Sequence, residues 1–365
     1  MSKRVGRDDR RRRRRLLRRR GLNVFLRNAW YVAAWSKDIG RELTAETILG
    51  QKIVFYRRVD GSPIALENAC PHRKLLLSKG TLKGDAIECG YHGLTFDGTG
   101  SCVAATTQPG QIPRRAVVHS YPIVDRYRLL WIWMGNPDLA DPNTIYEIEN
   151  YDDPTWGYTE GGVLDVDCHY LWMVDNLLDP SHVAWVHKSS FGGSGTDNVP
   201  LEIDQSDHGV TVSRWIMDAA PSPYYAKLVK FAGCCDRLQH YDMLYPAIGV
   251  NQSIFTPSGT GGRNTSPVDE TYINVSYNFL TPINEDRTRY FWFQHRNTDG
   301  DDAGISKQMN DGARNAFLED KAILEDVHKG MKNKTTPNFN LTLDAGAQLF
   351  RRGLDALVKA ERNND

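Results

Sequence analysis

Cys70-Pro71-His72-Arg73 and Cys89-Gly90-Tyr91-His92-Gly93 are the two stretches on which the reading of this chain turns. Written as spacing they are C-x-H-x16-C-x-x-H, so each short loop offers one thiolate and one imidazole. Structural zinc sites of the Cys2His2 type usually draw both cysteines from one knuckle and both histidines from another. Mixed loops allow a different division, in which one metal ion takes both sulfurs and a second takes both nitrogens. That is the ligand set of a Rieske [2Fe-2S] centre, where two imidazoles replace two thiolates, remove negative charge and raise the reduction potential. A relay for single electrons, held by Cys70, His72, Cys89 and His92, is expected here.

The flanks of both loops read as β-structure. Lys52–Arg57 and Pro63–Glu67 lie either side of Asp60-Gly61, a hairpin turn signal. Ala86–Cys89 leads into the second loop, Leu94–Phe96 runs into Asp97-Gly98, and Leu129–Trp133 reads as a buried strand. The loops therefore sit at strand ends of a small antiparallel β domain over roughly residues 40–140, bounded by Asn136-Pro137-Asp138 and Asp141-Pro142-Asn143. Upstream, Ala29–Ser36 reads as a short helix or packed segment. Beyond residue 151 the pattern becomes mixed α and β. Asp165–Met173 is a strand or the approach to a helix, and Asp175–His187 has helical spacing interrupted by Pro180. Alternating strands follow at Gly209–Trp215, Thr271–Tyr277 and Arg289–Phe293, and a long helix closes the pattern near residues 308–330. The Gly/Ser/Thr-rich stretch 257–266 reads as a mobile loop.

A second ligand pattern lies in Asp179-Pro180-Ser181-His182-Val183-Ala184-Trp185-Val186-His187, or D-x-x-H-x4-H. Residues five apart are rotated by about 140° on a straight helix, so His182 and His187 would point apart. Pro180 predicts a broken segment that lets the two rings converge. Two His and one carboxylate with open positions form the facial triad of non-haem Fe(II) oxygenases. The carboxylate is sought on the long helix, among Glu319, Asp320, Glu325 and Asp326. Ala313, Ala316, Phe317, Ile323, Leu324 and Val327 form an apolar stripe with Asp320 in its middle and the other three acids off it. A carboxylate on a buried face is costly without a cation, which selects Asp320 and leaves the others as solvated. His119, His169, His208, His240, His295 and His328 lack ligand spacing. His295, on a strand read as facing inward, is a candidate for a substrate pocket. Trp215, Tyr241, Phe291 and Trp292 suit an aromatic ligand or a core.

The formal net charge of zero conceals a division. Residues 1–20 carry 12 Lys/Arg against two Asp, whereas the remainder holds 33 basic and 43 acidic residues, a net charge of −10. The leader, residues 1–22, is expected to be disordered. An acidic body argues against nucleic acid as a partner, and no run of 18 apolar residues is present to cross a bilayer. No signal-peptide h-region follows the charges, so a cytoplasmic location is expected. Cys102, Cys168, Cys234 and Cys235 are expected as buried thiols in a reducing compartment.

From about Phe25 to the C-terminal helix the chain resembles the oxygenase component of Rieske non-haem iron oxygenases. The vanillate and dicamba O-demethylase type is nearest, through Leu26-Arg27-Asn28-Ala29-Trp30-Tyr31-Val32-Ala33-Ala34-Trp35, Cys-Pro-His-Arg, Val174-Asp175-Asn176-Leu177-Leu178-Asp179 and Glu319-Asp320-Lys321. The resemblance implies an α+β chain: an all-β Rieske domain (23–150) and a helix-grip catalytic domain with an antiparallel sheet and a mononuclear Fe(II) (151–365). It also implies a head-to-tail homotrimer, with Asp179 bridging the cluster of one subunit to the iron of the next and Asn176 beside it. The implied partners are O2, an aromatic substrate and an NAD(P)H-dependent flavin/[2Fe-2S] reductase. The implied reaction is O-demethylation. Ring cis-dihydroxylation would use the same metals, while a pure Rieske electron carrier would need nothing beyond about residue 150. A zinc-dependent nucleic-acid binder is the remaining alternative.

Overall fold

The computed structural model describes residues 25–107, 111–112, 114–188, 190–193, 199–260, 270–333 and 335–364. The basic leader and the greater part of the Gly/Ser/Thr-rich stretch lie outside the described residues.

Three small antiparallel sheets build the N-terminal part. One contains β2 (Thr44–Ile48), β3 (Gln51–Arg57) and β4 (Pro63–Glu67), the last two joined through the Asp60-Gly61 turn, where Gly61 takes φ +85°. Another contains β5 (Thr81–Lys83), β6 (Ala86–Glu88), β7 (Leu94–Phe96) and β8 (Cys102–Ala105) in that order. Val54, Tyr56, Leu66, Ile87 and Phe96 from these two sheets share a core that includes Cys70 and Cys89. The third sheet has the order β1 (Trp30–Trp35), β10 (Leu129–Trp133), β9 (Ile123–Arg126). The first of these segments, read as a short helix or packed segment, is therefore a buried strand. Every residue of β1 is buried, so the two-residue alternation that identifies a half-exposed strand is absent.

The C-terminal part is one eight-stranded antiparallel sheet. Its main path runs β11 (Gly157–Tyr158), β18 (Arg287–Arg296), β17 (Tyr272–Asn284), β16 (Ile248–Pro257), β15 (Cys235–Leu244), β14 (Gly209–Ala219), β13 (Glu202–Gln205), and β12 (Gly162–Val166) also pairs with β18. Alternate residues on these strands serve opposite faces. Val250, Val275, Tyr277, Phe279, Phe291 and Phe293 pack against Trp30, Trp35 and Trp131 of the third small sheet. The other face is covered by helices. α1 (Tyr170–Leu177) starts at the cap His169, whose Nδ1 accepts from the Leu171 amide at 3.2 Å. Then come α2 (Val183–Val186), α3 (Ala303–Met331) and α4 (Ala345–Asn364).

The 29-residue α3 is capped by Asp302, which accepts from the Ile305 amide at 2.9 Å. It lays Met309, Ala313, Ala316, Asp320 and Leu324 on the sheet, with Phe317 against the rings of Tyr290 and Trp292. Ile323 and Val327 belong to the apolar stripe in sequence but are exposed, at 44% and 39%. The buried position in the last turns is His328 instead, which takes the Trp172 indole N–H on Nδ1 at 3.3 Å and meets Asp286 through Nε2 at 2.9 Å. Two of the four remaining thiols also depart from expectation. Cys168 and Cys235 are buried, but Cys102 is half-buried and Cys234, at the mouth of β15, is exposed.

The helix α4 was not anticipated. Ala347, Phe350, Leu354, Val358 and Glu361 form its buried stripe, and Arg351 forks onto Asp175 of α1 at 2.9 and 2.6 Å. At its far end Glu361 accepts from the backbone amides of Arg27 at 3.0 Å and Asn28 at 2.6 Å. Such bonds to a charged acceptor contribute about 1.5–3 kcal/mol each. Glu361→Ala strands two amides, and a loss of about 2–6 kcal/mol, about 1–3 for each, is expected, read as a lowered thermal unfolding midpoint with iron content unchanged.

Candidate metal centres and active site

The two Cys/His loops are built alike. In each, the residue four beyond the cysteine returns its amide to the cysteine carbonyl: Lys74 to Cys70 at 2.8 Å and Gly93 to Cys89 at 3.0 Å. The cysteine amides in turn donate to Leu75 and Leu94 at 2.8 Å. Both turns close on a left-handed residue, Lys74 at φ +59° and Gly93 at φ +69°. A Cβ at Gly93 would also stand 2.8 Å from Thr106 Cβ, so glycine is required there. This geometry brings the His72 and His92 rings to 4.5 Å between centroids and buries both cysteines to 2% exposure. Burial raises the Cys70 pKa, and the neighbouring Cys89 thiol, in hydrogen-bond contact, raises it further. Desolvation lowers that of His92, and His72 and Arg73 add to the effect, favouring the neutral ring that binds metal. Two buried sulfurs and two neighbouring imidazoles are a donor set that would hold a [2Fe-2S] cluster.

Pro180 does interrupt the helix. α1 ends at Leu177, a turn follows, and His182 and His187 flank the single turn α2 at its two ends. Their rings lie 5.3 Å apart. Asp320 reaches them from α3, with Oδ1 3.2 Å from His187 Nε2 and 3.6 Å from His182 Nε2. Ligand atoms of all three lie within 4.8 Å of one another. Each histidine is also fixed from behind. His182 Nδ1 donates to the Asp179 carbonyl, and His187 Nδ1 donates to Glu319 Oε2 at 2.7 Å. Both Nε2 lone pairs are thereby left for a common point, the arrangement by which ligating histidines are oriented. Asn176 Nδ2 donates to Asp320 Oδ1 at 3.1 Å, and Asp179 Oδ1 accepts from the Ser181 amide at 2.7 Å.

Glu319 is exposed, as the sequence reading has it, yet it carries a role that reading missed. One oxygen reaches back over the helix to His187, a role that apolar periodicity does not register. Burial lowers the His187 pKa, but the hydrogen bonds with Asp320 and Glu319 outweigh it and hold the ring above its ordinary value. A donor set of two convergent imidazoles and a buried carboxylate fits a divalent metal, which would displace that proton.

Beside this triad lies a cavity enclosing about 640 Å³ of space, its open mouth included. Its wall is the helix-facing side of the large sheet, read at every second residue: Arg237 and Tyr241 on β15, Asn251 and Ser253 on β16, Asn274, Ser276 and Asn278 on β17, Gln294 on β18. His182, His187, Asp320, Ala313, Ala316 and Phe317 close it. His295 is not there. It is one residue out of phase with Gln294 and turns to the opposite face, against Trp156 and Tyr158, where burial pushes its pKa down to about 4. Among the four aromatics considered from sequence, Tyr241 lines the cavity, while Phe291 and Trp292 are core.

Asp320→Ala should remove about one iron per chain and spare the cluster iron and sulfide. Glu319→Gln keeps the hydrogen bond but weakens its charge, and Glu319→Ala should cost about 10–100-fold in affinity at the mononuclear site. Fe(II) affinity there is expected to rise with pH as the His187 proton leaves. Iron and acid-labile sulfide analysis with anaerobic Fe(II) titration at several pH values measures all three.

Comparison with known proteins agrees with this geometry. A model of the Rieske [2Fe-2S] domain matches residues 29–122, and one of the vanillate O-demethylase oxygenase C-terminal domain matches residues 166–360. The chain is 36% identical over 344 residues to the iron-sulfur subunit of the toluene-4-sulfonate monooxygenase system of Comamonas testosteroni, covering 93% of this chain and 98% of that one. It is 33% identical over 308 residues to the dicamba O-demethylase oxygenase component of Stenotrophomonas maltophilia, covering 84% and 89%. The crystal structure of dicamba monooxygenase bound to 3,6-dichlorosalicylic acid superposes with a TM-score of 0.85 at 31% identity, covering 93% of this chain and 99% of that one. The chain belongs to the Rieske non-haem iron oxygenases, as an oxygenase component of the vanillate and dicamba O-demethylase type whose cofactors are a [2Fe-2S] cluster and a mononuclear iron.

Proposed function

We propose that this chain is the terminal oxygenase of a multicomponent system that hydroxylates a methyl or methoxy carbon of an aromatic compound. The observation that carries the reading is the position of the His182, His187 and Asp320 triad on the wall of a cavity whose lining mixes polar side chains, aliphatic groups and rings. The balanced reaction for a methoxy substrate consumes O2, NAD(P)H and a proton and gives the phenol, formaldehyde, water and NAD(P)+. When bound, the cluster supplies single electrons and the mononuclear iron supplies O2 activation. The protein's own part is positional. His182, His187 and Asp320 hold the metal, the Asp179 carbonyl and Glu319 fix the imidazole tautomers, and Asn176 orients Asp320. With these ligands on one side, the cavity side stays free for O2 and substrate.

Electrons come from a separate flavin/[2Fe-2S] reductase in this reading, entering at the loops of Cys70, His72, Cys89 and His92. The cluster loops belong to a unit spanning residues 23–150 and the triad to one spanning 151–365. We assign the chain to a head-to-tail trimer in which Asp179 links the two kinds of centre between neighbouring subunits. Exposed rings at both ends of that path support the assignment: Tyr91 in a cluster loop is 55% exposed and Trp185 on α2 is 75% exposed.

The test is turnover with a reductase, NADH and a panel of methoxylated and methylated aromatics. One formaldehyde per NADH consumed is expected from a methoxy substrate. A cis-diol without formaldehyde would move the assignment to ring dihydroxylation, and reduction of the cluster without substrate-dependent O2 uptake would leave only an electron carrier. Asp179→Asn should preserve the cluster spectrum and the iron content while lowering product formation by about 10–100-fold.

A further inference from the structure

Arg214 is a buried cation that belongs neither to the metal triad nor to the cavity lining. It projects from β14 on the helix-covered side of the large sheet and is 4% exposed. Its cross-strand partner Gln239, 1% exposed, accepts from Nε at 2.7 Å, and Nη2 donates to the Pro180 carbonyl at 3.2 Å. Gln239 in turn directs its amide nitrogen to the Tyr241 hydroxyl at 3.3 Å. The guanidinium is therefore oriented from the sheet by a side chain that is itself oriented, and it spends its outer end on one backbone carbonyl.

The place of that carbonyl in the turn gives the bond its meaning. His182 Nδ1 donates to the Asp179 carbonyl, and the Ser181 amide donates to Asp179 Oδ1 at 2.7 Å. The peptide that carries the Asp179 carbonyl and the peptide that carries the Ser181 amide meet at the Pro180 Cα, and two torsions relate them. The pyrrolidine ring fixes φ at about −65°. The remaining torsion, ψ, swings the Pro180 carbonyl, and Arg214 holds it. Upstream, Asn251 Nδ2 donates to the Leu177 carbonyl at 3.0 Å, so the end of α1 is tied to the same sheet. A guanidinium suits the task, because Nε and Nη2 lie in one rigid plane and two bonds made in that plane fix its direction, whereas an ammonium on a flexible stem supplies charge without direction. Its charge also strengthens the bond to a neutral carbonyl.

We infer that Arg214 is a positioning residue for the mononuclear iron: by fixing the Pro180 carbonyl it sets the direction of the Asp179 carbonyl, and through it the His182 ring that offers Nε2 to the metal. Without this bond the turn regains a torsion, the His182 ring follows it, and the three donors converge less well on one point. The inference rests on the triad holding Fe(II) and is independent of which compound is oxidised.

The test uses the full-length protein with its cluster intact and its mononuclear iron removed by chelation. It is titrated anaerobically with Fe(II) and then with nitric oxide, whose EPR signal on high-spin iron reports how uniformly the ligands are placed. Arg214→Gln is expected to weaken Fe(II) binding about 10–100-fold and to spread the nitrosyl signal over more than one species, with acid-labile sulfide and the signal of the reduced cluster unchanged. Arg214→Lys, which keeps the charge without the planar fork, should recover part of the affinity but not the single signal. Gln239→Leu leaves Arg214 in place and frees only its orientation. It should move both readouts in the same direction by less, and it decides the matter should Arg214→Gln not fold. Unchanged affinity and a single unaltered nitrosyl signal in these variants, with only the unfolding midpoint lowered, make Arg214 a packing residue and overturn the inference. So does an equal loss of affinity in Arg214→Gln and Arg214→Lys with the signal still single, because charge and not direction is then what was lost. No turnover is measured, so either result leaves the substrate reading untouched, whereas an unaltered protein that takes up no Fe(II) removes the metal assignment and the inference together.

Discussion

A carboxylate 7% exposed on the sheet-facing side of a 29-residue helix is the constraint around which the C-terminal half is arranged. Asp320 cannot be left there as an isolated ion, and each neighbouring element contributes something that answers its charge. α1 sends Asn176, and the broken segment after it turns two imidazoles inward. The raised pKa of His187 expresses the same pressure, since a proton on that ring answers the carboxylate when no metal does. The site is thus assembled around negative charge and becomes stable by acquiring a cation. Metal uptake would exchange the proton on His187 for a divalent cation, so positive charge faces Asp320 in either state.

The cluster loops solve a different problem. Their cysteines sit inside a small apolar core with Val54, Leu66, Ile87 and Phe96, while the His72 side chain reaches the surface. The two kinds of ligand thus meet different surroundings, the sulfurs the apolar core and the imidazoles its outer side. The repeated amide-to-carbonyl turn makes the two loops near copies, so that equal ligands are offered from both sides.

The sequence disclosed chemistry better than packing. Cysteine and histidine spacing carries its meaning locally, and a buried acid in an apolar stripe signals itself by contradiction, so the cluster loops, the broken segment at Pro180 and Asp320 were all legible. The strand β1 was not, because burial on both faces erases the alternation that distinguishes it from a helix. The helix α4 was passed over although Ala347, Phe350, Leu354 and Val358 stand at helical spacing; what the sequence does not record is its packing on β13, β14 and α1. His295 and Gln294 show how fine the margin is: strand register decides which of two adjacent residues meets the cavity, and no motif records it. Glu319's bond to His187 was missed for a related reason. A long side chain acts far from its own Cα, where helical or strand phase has little to say.

The alternation along β15 to β18 has a consequence for descent. Odd and even positions answer to separate demands, the aromatic bed shared with Trp30, Trp35 and Trp131 on one side and the ligand chamber on the other. A substitution at Asn251, Ser253, Asn274, Ser276 or Asn278 rewrites the chamber while its neighbours in sequence keep the two sheets mated. Innovation and integrity are interleaved on the same strands yet remain separable, which gives a lineage a short mutational route from one ligand to another.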